Sequence, residues 1–163
     1  MLRILSAALC VAWALAAISA TAAARSLDGR WLTQEGRAIV EIAPCKGGGK
    51  AHCGAIVWVK DPISPDTGKP RRDIHNPDES LQRRPIIGLQ SLWSIVPNTE
   101  GTWNAVSYDP RNGEEHEITM TPNADGSKVV LKGCGLGGLI CRSQVWTKAP
   151  DALPASAAEA APQ

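Results

Sequence analysis

Short runs of alternating apolar and polar residues fill the chain from Arg30 to Lys148, broken by Gly, Pro, Asn and Asp. No stretch of that region keeps a helical period over the length of a helix. Ala38, Val40 and Ile42 fall on one face of their run, with Arg37 and Glu41 on the other. His116, Ile118 and Met120 alternate with Glu115, Glu117, Thr119 and Thr121. A strand with one face on a core and one in water has this pattern. It predicts strands near residues 30–34, 37–43, 52–60, 85–96, 102–108, 115–121, 127–133 and 141–148. Asp109-Pro110-Arg111-Asn112-Gly113 and Pro122-Asn123-Ala124-Asp125-Gly126 are suited to tight reversals and positive φ. Strands joined by such short turns form an antiparallel meander. About eight of them close into an up-and-down barrel, which removes exposed edges and is either filled by side chains or holds one small ligand. The expected class is therefore all-β. A β-sandwich shares the same strand and turn pattern and stays open as the alternative.

Residues 61–84 interrupt the meander with Pro62, Pro65, Pro70 and Pro77 among charges of both signs. A long loop inside a compact domain often carries function, and this one is expected to cover a barrel mouth. The plainer reading is a solvated connector.

The ends of the chain bear on compartment. Arg3 precedes an apolar run from Ile4 to Ile18, followed by small residues to Ala24. Charged start, apolar middle and an A-x-A cleavage site make a secretory signal peptide over residues 1–24. The run is about 15 residues, short of the roughly 20 that span a bilayer, so no stable membrane anchor is expected. Removing it takes away Arg3 and leaves 16 acidic residues against an equal number of basic ones. That balance argues against nucleic-acid binding, which needs clustered Lys and Arg. Residues 149–163, mostly Ala, Pro and Ser, are expected to form a disordered tail. The folded domain is expected over residues 25–148.

Four cysteines follow the leader: Cys45, Cys53, Cys134 and Cys141. An even count in an exported chain points to disulfides. The local pairing, Cys45–Cys53 and Cys134–Cys141, would close two Gly-rich loops. The spacings do not match a zinc site, and no C-x-x-C is present, so neither metal nor redox cofactor is expected.

Candidate chemistry is sparse. No G-x-S-x-G occurs, and no signature links a nucleophile to His52, His75 or His116. Asp73 and His75 are the right types for a carboxylate–imidazole pair, with Tyr108 nearby in a hydrolase. The plainer reading has Asp73 and Asn76 fixing the loop, His75 exposed, and Asp109 serving turn chemistry. Trp31, Trp58, Trp93, Trp103 and Trp146 follow the leader, with one Tyr and no Phe in the chain. They are expected to divide between core and ligand lining. Trp58, on the predicted face of Gly54 and Ile56, is the preferred ligand candidate, with Asp73, Asn76, Trp103 and Tyr108 beside it. No catalytic residue is assigned.

Several segments carry a resemblance in their order and spacing. They are Leu27-Asp28-Gly29-Arg30-Trp31, Cys53-Gly54-Ala55-Ile56-Val57-Trp58, Asp73-Ile74-His75-Asn76-Pro77, Arg83-Arg84-Pro85-Ile86-Ile87-Gly88, Tyr108-Asp109-Pro110 and Ser143-Gln144-Val145-Trp146-Thr147. Together they resemble the bacterial exported family known as domain of unknown function 2147, over nearly all of residues 27–148. The resemblance implies a lipocalin-like barrel in which Gly29 and Trp31 form a G-x-W opening and Trp31 plugs one end. Trp146 stands in the motif of the last strand. The resemblance implies a periplasmic or secreted protein and supplies no activity. Two positions depart from the family pattern: Asn104-Ala105 replaces small glycines, and Lys148 replaces an Arg. The functions in view are a carrier of a small, partly apolar ligand, a filled-barrel module for an envelope protein partner, and a hydrolase.

Overall fold

A computed structural model describes residues 25–153. The predicted signal peptide and the end of the predicted tail lie outside the described residues. Eight strands follow in order: β1 Gly29–Leu32, β2 Ala38–Pro44, β3 His52–Val59, β4 Gln90–Pro97, β5 Trp103–Asp109, β6 Glu114–Pro122, β7 Lys128–Gly135 and β8 Ile140–Lys148. Each pairs antiparallel with the next, and β8 returns to β1 to close a barrel. The sandwich alternative is thereby set aside. The closing seam is short, joining Trp31 to Lys148 and Leu32 to Thr147.

A meander of this kind has two distinct ends. Residues 25–28, the β2–β3, β4–β5 and β6–β7 turns and the end of β8 lie at one. The other carries the β1–β2 and β5–β6 turns, the long β3–β4 loop and the β7–β8 tip. Side chains fill the interior: Val40, Ile42, Ile56, Leu92, Ile95, Met120, Val129 and Leu131, with Trp31, Trp103 and Trp146.

Trp31 closes the first end. Its Nε1 donates to the Leu27 carbonyl at 2.7 Å. The Lys148 ammonium lies 4.4 Å from the Trp31 ring centroid and donates to the Asp28 carbonyl at 2.6 Å. Lysine thus covers the indole by a cation–π contact at the position where the family pattern has Arg. Gly29 lies beneath it with a φ of +108°, a conformation that favours glycine, and a Cβ there would also push Lys148 Nζ aside from 2.9 Å. The other departure is equally accommodated: Ala105 is buried in the core, while Asn104 is exposed.

Three sequence expectations shift. β4 begins at Gln90 rather than near residue 85. Residues 85–89 instead turn tightly through Gly88, at φ +88°, and pin the loop by burying Ile86 and Leu89. Second, a bulge sets Val40 opposite Ile56 but Ile39 opposite Trp58. The extra residue changes the facing of the strand. Trp58 therefore leaves the interior row of Gly54 and Ile56. It packs with Ile39 and Ala149, against Leu32, Val57 and Leu153, in a separate cluster. Third, the chain stays packed past the predicted boundary at Lys148. The Ala149 N–H donates to the Arg30 carbonyl, and Leu153 covers the Trp58 cluster.

Both predicted disulfides are present, Cys45–Cys53 and Cys134–Cys141. The first joins β3 to the residue that follows β2. The second staples a hairpin tip that packs chiefly on its own strands. Replacing Cys45 and Cys53 with Ser should cost about 2 kcal/mol by freeing the unfolded chain. The same change at Cys134 and Cys141 should cost less, because the native tip also gains freedom when unstapled. Urea unfolding of the two double variants measures the difference.

Candidate functional site

The long loop is tied to the barrel by one buried polar network. Asp73 is fully buried. Its Oδ2 accepts from Arg84 Nε at 2.8 Å and from Asn76 Nδ2 at 2.9 Å, and Arg84 Nη2 stands in ion-pair contact with it at 2.8 Å. The Tyr108 hydroxyl donates to Asp73 Oδ1 at 2.6 Å and accepts from Asn76 Nδ2 at 3.0 Å. The backbone repeats the tie, with the Asp73 N–H donating to the Arg84 carbonyl and the Asn76 N–H to that of Asp73. Asn76 Oδ1 also accepts from the Asp78 N–H, an Asx turn that holds the loop's shape. A buried carboxylate is tolerable when paired and hydrogen-bonded on both oxygens, as here. Gly113 of the β5–β6 turn completes the docking. Its φ is +77°, and a Cβ there would meet the His75 carbonyl oxygen at 2.0 Å, so only glycine lets the loop approach.

Register decides which side of the wall the loop covers. Trp103, Ala105 and Ser107 pair with Met120, Ile118 and His116, and the first two of these rows point inward. Tyr108 falls on the alternate face with Val106, which pairs with Trp93. Glu115, opposite Tyr108, shares that outer face. Residues 76–84 of the loop therefore lie against the outer face of β4, β5 and β6, while Ile86, Leu89 and Tyr108 also join the core cluster. Between the loop and the wall lies an open cleft of about 520 Å³, with Asn76, Pro77, Asp78, Leu81 and Arg84 on the loop side. Gln90, Trp93, Tyr108 and Glu115 line the wall side.

The sequence-predicted site residues separate accordingly. Asp73, Asn76 and Tyr108 meet in one network, and the latter two line the cleft. Trp103 lies in the interior, its Nε1 donating to the Arg25 carbonyl at 3.0 Å and its ring edge-on to His52. Trp58 belongs to its own cluster near the chain's end. His75 is exposed, and Asp73 spends its oxygens on Arg84, Asn76 and Tyr108 instead. Asp109 accepts from the Arg111 backbone and guanidinium, as a turn residue does. Arg84 and Trp93 were not singled out by sequence. Arg84 sits in the motif after the Pro-rich loop, but nothing in that motif shows a partner 11 residues away.

Two comparisons now bear on this geometry. A family model described as "Uncharacterized protein conserved in bacteria (DUF2147)" matches residues 29–148. The chain belongs to this family. A solved structure described as "Protein HP1028 from the human pathogen Helicobacter pylori belongs to the lipocalin family" is similar in fold, with a TM-score of 0.61 at 18% identity. The match covers 77% of this chain and 84% of that one. No curated protein matches the chain. The barrel of this DUF2147 chain is thus lipocalin-like, and its lumen is occupied by its own side chains.

Burial, and then the hydrogen bond to Asp73, raise the Tyr108 hydroxyl above the usual phenol pKa. Unfolding releases it to ionise near pH 10, before the folded form does. Its contribution to stability is therefore complete below about pH 10 and is lost as pH climbs through the raised value. Tyr108 is the chain's one tyrosine, so phenolate absorbance reports it alone. Alkaline titration should show ionisation displaced upward from that of the urea-unfolded chain, and Tyr108→Phe should remove the signal.

Proposed function

We propose that this protein is an exported, non-enzymatic binding module whose ligand lies in the cleft under the loop rather than in the lumen. The observation that carries the reading is the pairing of a filled interior with an open cleft held by a rigid polar network. Small-molecule sites combine apolar walls with a few placed polar groups. Here Trp93, Pro77 and Leu81 offer the apolar surface, and Arg84, Gln90 and Glu115 the polar groups. This lining suits a small molecule with an aromatic or aliphatic body and a hydrogen-bonding end. The lipocalin-like fold adds support by analogy. The two disulfides and the signal-like pattern of residues 1–24 favour the periplasm or release from the cell. Among the described residues no helix is long and apolar enough to cross a membrane.

Native mass spectrometry of the protein purified gently from its own host tests the reading. A reproducible added mass is expected, lost on denaturation and absent from Trp93→Ala. Saturable binding of anilinonaphthalene sulfonate, an aromatic anion, should weaken in the same variant. A bare mass together with probe binding indifferent to Trp93 would overturn it. The filled lumen also favours a second reading, a module for an envelope protein partner, for which in-cell cross-linking from the loop should trap one defined protein.

A further inference from the structure

The tip of the β7–β8 hairpin separates from β6 and from β1. β7 pairs with β6 only as far as Gly133, opposite Ile118, and β8 reaches β1 only at Thr147 and Lys148. Beyond Gly133 the two strands pair with each other alone, at Cys134–Cys141 and Gly135–Ile140. The tip is aliphatic and bare: Leu136 is 73% exposed, Leu139 86% and Ile140 54%. A free two-stranded ribbon is marginal in water, and clustered apolar residues on a bare tip mark an interaction site. The Cys134–Cys141 bridge stands directly behind these residues and holds them in place without a core.

Charge selects the partner. Residues 127–148 contain Lys128, Lys132, Arg142 and Lys148 and no acidic residue. Lys148 is engaged at the plug, but Lys132 and Arg142 are exposed and lie on adjacent rows just behind the disulfide. Lys132 still pairs with Thr119 of β6, with Glu117 two residues along the same face, whereas Arg142 stands on the row where the ribbon leaves β6 and has no acidic residue beside it on β7 or β8. An aliphatic tip with a basic collar is the arrangement that enters a bilayer interface while cationic heads meet lipid phosphates. Exposed Ile63, Ile74 and Leu81 lie in the long loop at the same end of the barrel.

We propose that the β7–β8 ribbon is a membrane-docking arm that seats Leu136, Leu139 and Ile140 in the interface of an anionic lipid bilayer, with Lys132 and Arg142 on its headgroups. Docking there turns the loop end of the barrel toward the lipid. The proposal does not depend on the cleft being a ligand site.

Flotation of the exported protein with vesicles tests it. Vesicles of phosphatidylglycerol and phosphatidylethanolamine should carry the protein upward, and pure phosphatidylcholine should carry much less. Binding should fall as salt rises, since the collar acts through screened charge. Leu136→Asp with Leu139→Asp should weaken binding at least about tenfold, from lost apolar burial. Lys132→Glu with Arg142→Glu should remove the preference for the anionic vesicles. Neither pair should move the melting temperature, because all four side chains are exposed. No flotation on either vesicle, or flotation unchanged in the Leu variants, overturns the proposal. So does a dimer in sedimentation that Leu139→Asp abolishes while vesicles leave the protein unbound, which would make the tip a contact between copies.

Discussion

Asp73→Ala is expected to lower the unfolding free energy by about 3 kcal/mol, a large fraction of the stability of a domain this size. The carboxylate is fully buried and holds three partners at once. Its removal leaves the Tyr108 hydroxyl bonded only to Asn76 Nδ2. Arg84, whose side chain is 37% exposed, recovers part of its loss in water. That recovery keeps the expected cost at the low end of the range for breaking a buried pair. The loop should loosen with it, because the side-chain pair reinforces the backbone bond from the Asp73 N–H to the Arg84 carbonyl. Arg84→Ala should cost less, and the double variant should cost less than the sum, since both remove one interaction. Urea unfolding of the three variants measures the coupling. A loss below about 1 kcal/mol for Asp73→Ala would show that Ile86, Leu89 and the Gly113 contact hold the loop without it.

The legible and illegible parts of this protein divide along a physical line. Strands and tight turns are written locally, in the alternation of Val40 and Ile42 with Glu41 and in the Asn and Gly of the reversals. Cys45 and Cys53 are likewise close in the chain, so their pairing is a local matter. A bulge is different. One extra residue between Ile56 and Trp58 moved the indole from the predicted inner row to another face, and nothing in Val57 announces it. Residues 85–89 read as a strand from their apolar run, yet the Gly88 turn and contacts to β3 and to Arg71 bend them into an anchor. The candidate site was half legible. Asp73, Asn76 and Tyr108 stood out as chemical types, but Arg84 and Trp93 join them only through long-range register. The cleft lies against an outer wall for the same reason: facing accumulates from every bulge along β3 and β4.

Trp31→Ala is expected to have the larger effect, about 4 kcal/mol, by opening a cavity at the plugged end. The indole fills the space that Leu27 and Lys148 close, and its N–H satisfies the Leu27 carbonyl. It also stands at the barrel's weakest joint, where β1 meets β8 in only two residue pairs. Loss of the ring thus removes core volume and the platform on which Lys148 lies. Lys148→Ala, which leaves the indole in place, should cost only about 1 kcal/mol of cation–π and hydrogen-bond energy. Lys148→Arg should be close to neutral, because a guanidinium can stack on the same face. Hydrogen exchange adds a local check. In Trp31→Ala the amides of β1 and of the end of β8 should lose protection before those of β5 and β6. If they exchange together with the rest, closure is held by the barrel as a whole rather than by the plug. If Trp31→Ala costs under about 2 kcal/mol, the end has collapsed around the missing ring, and the plug is replaceable by its neighbours.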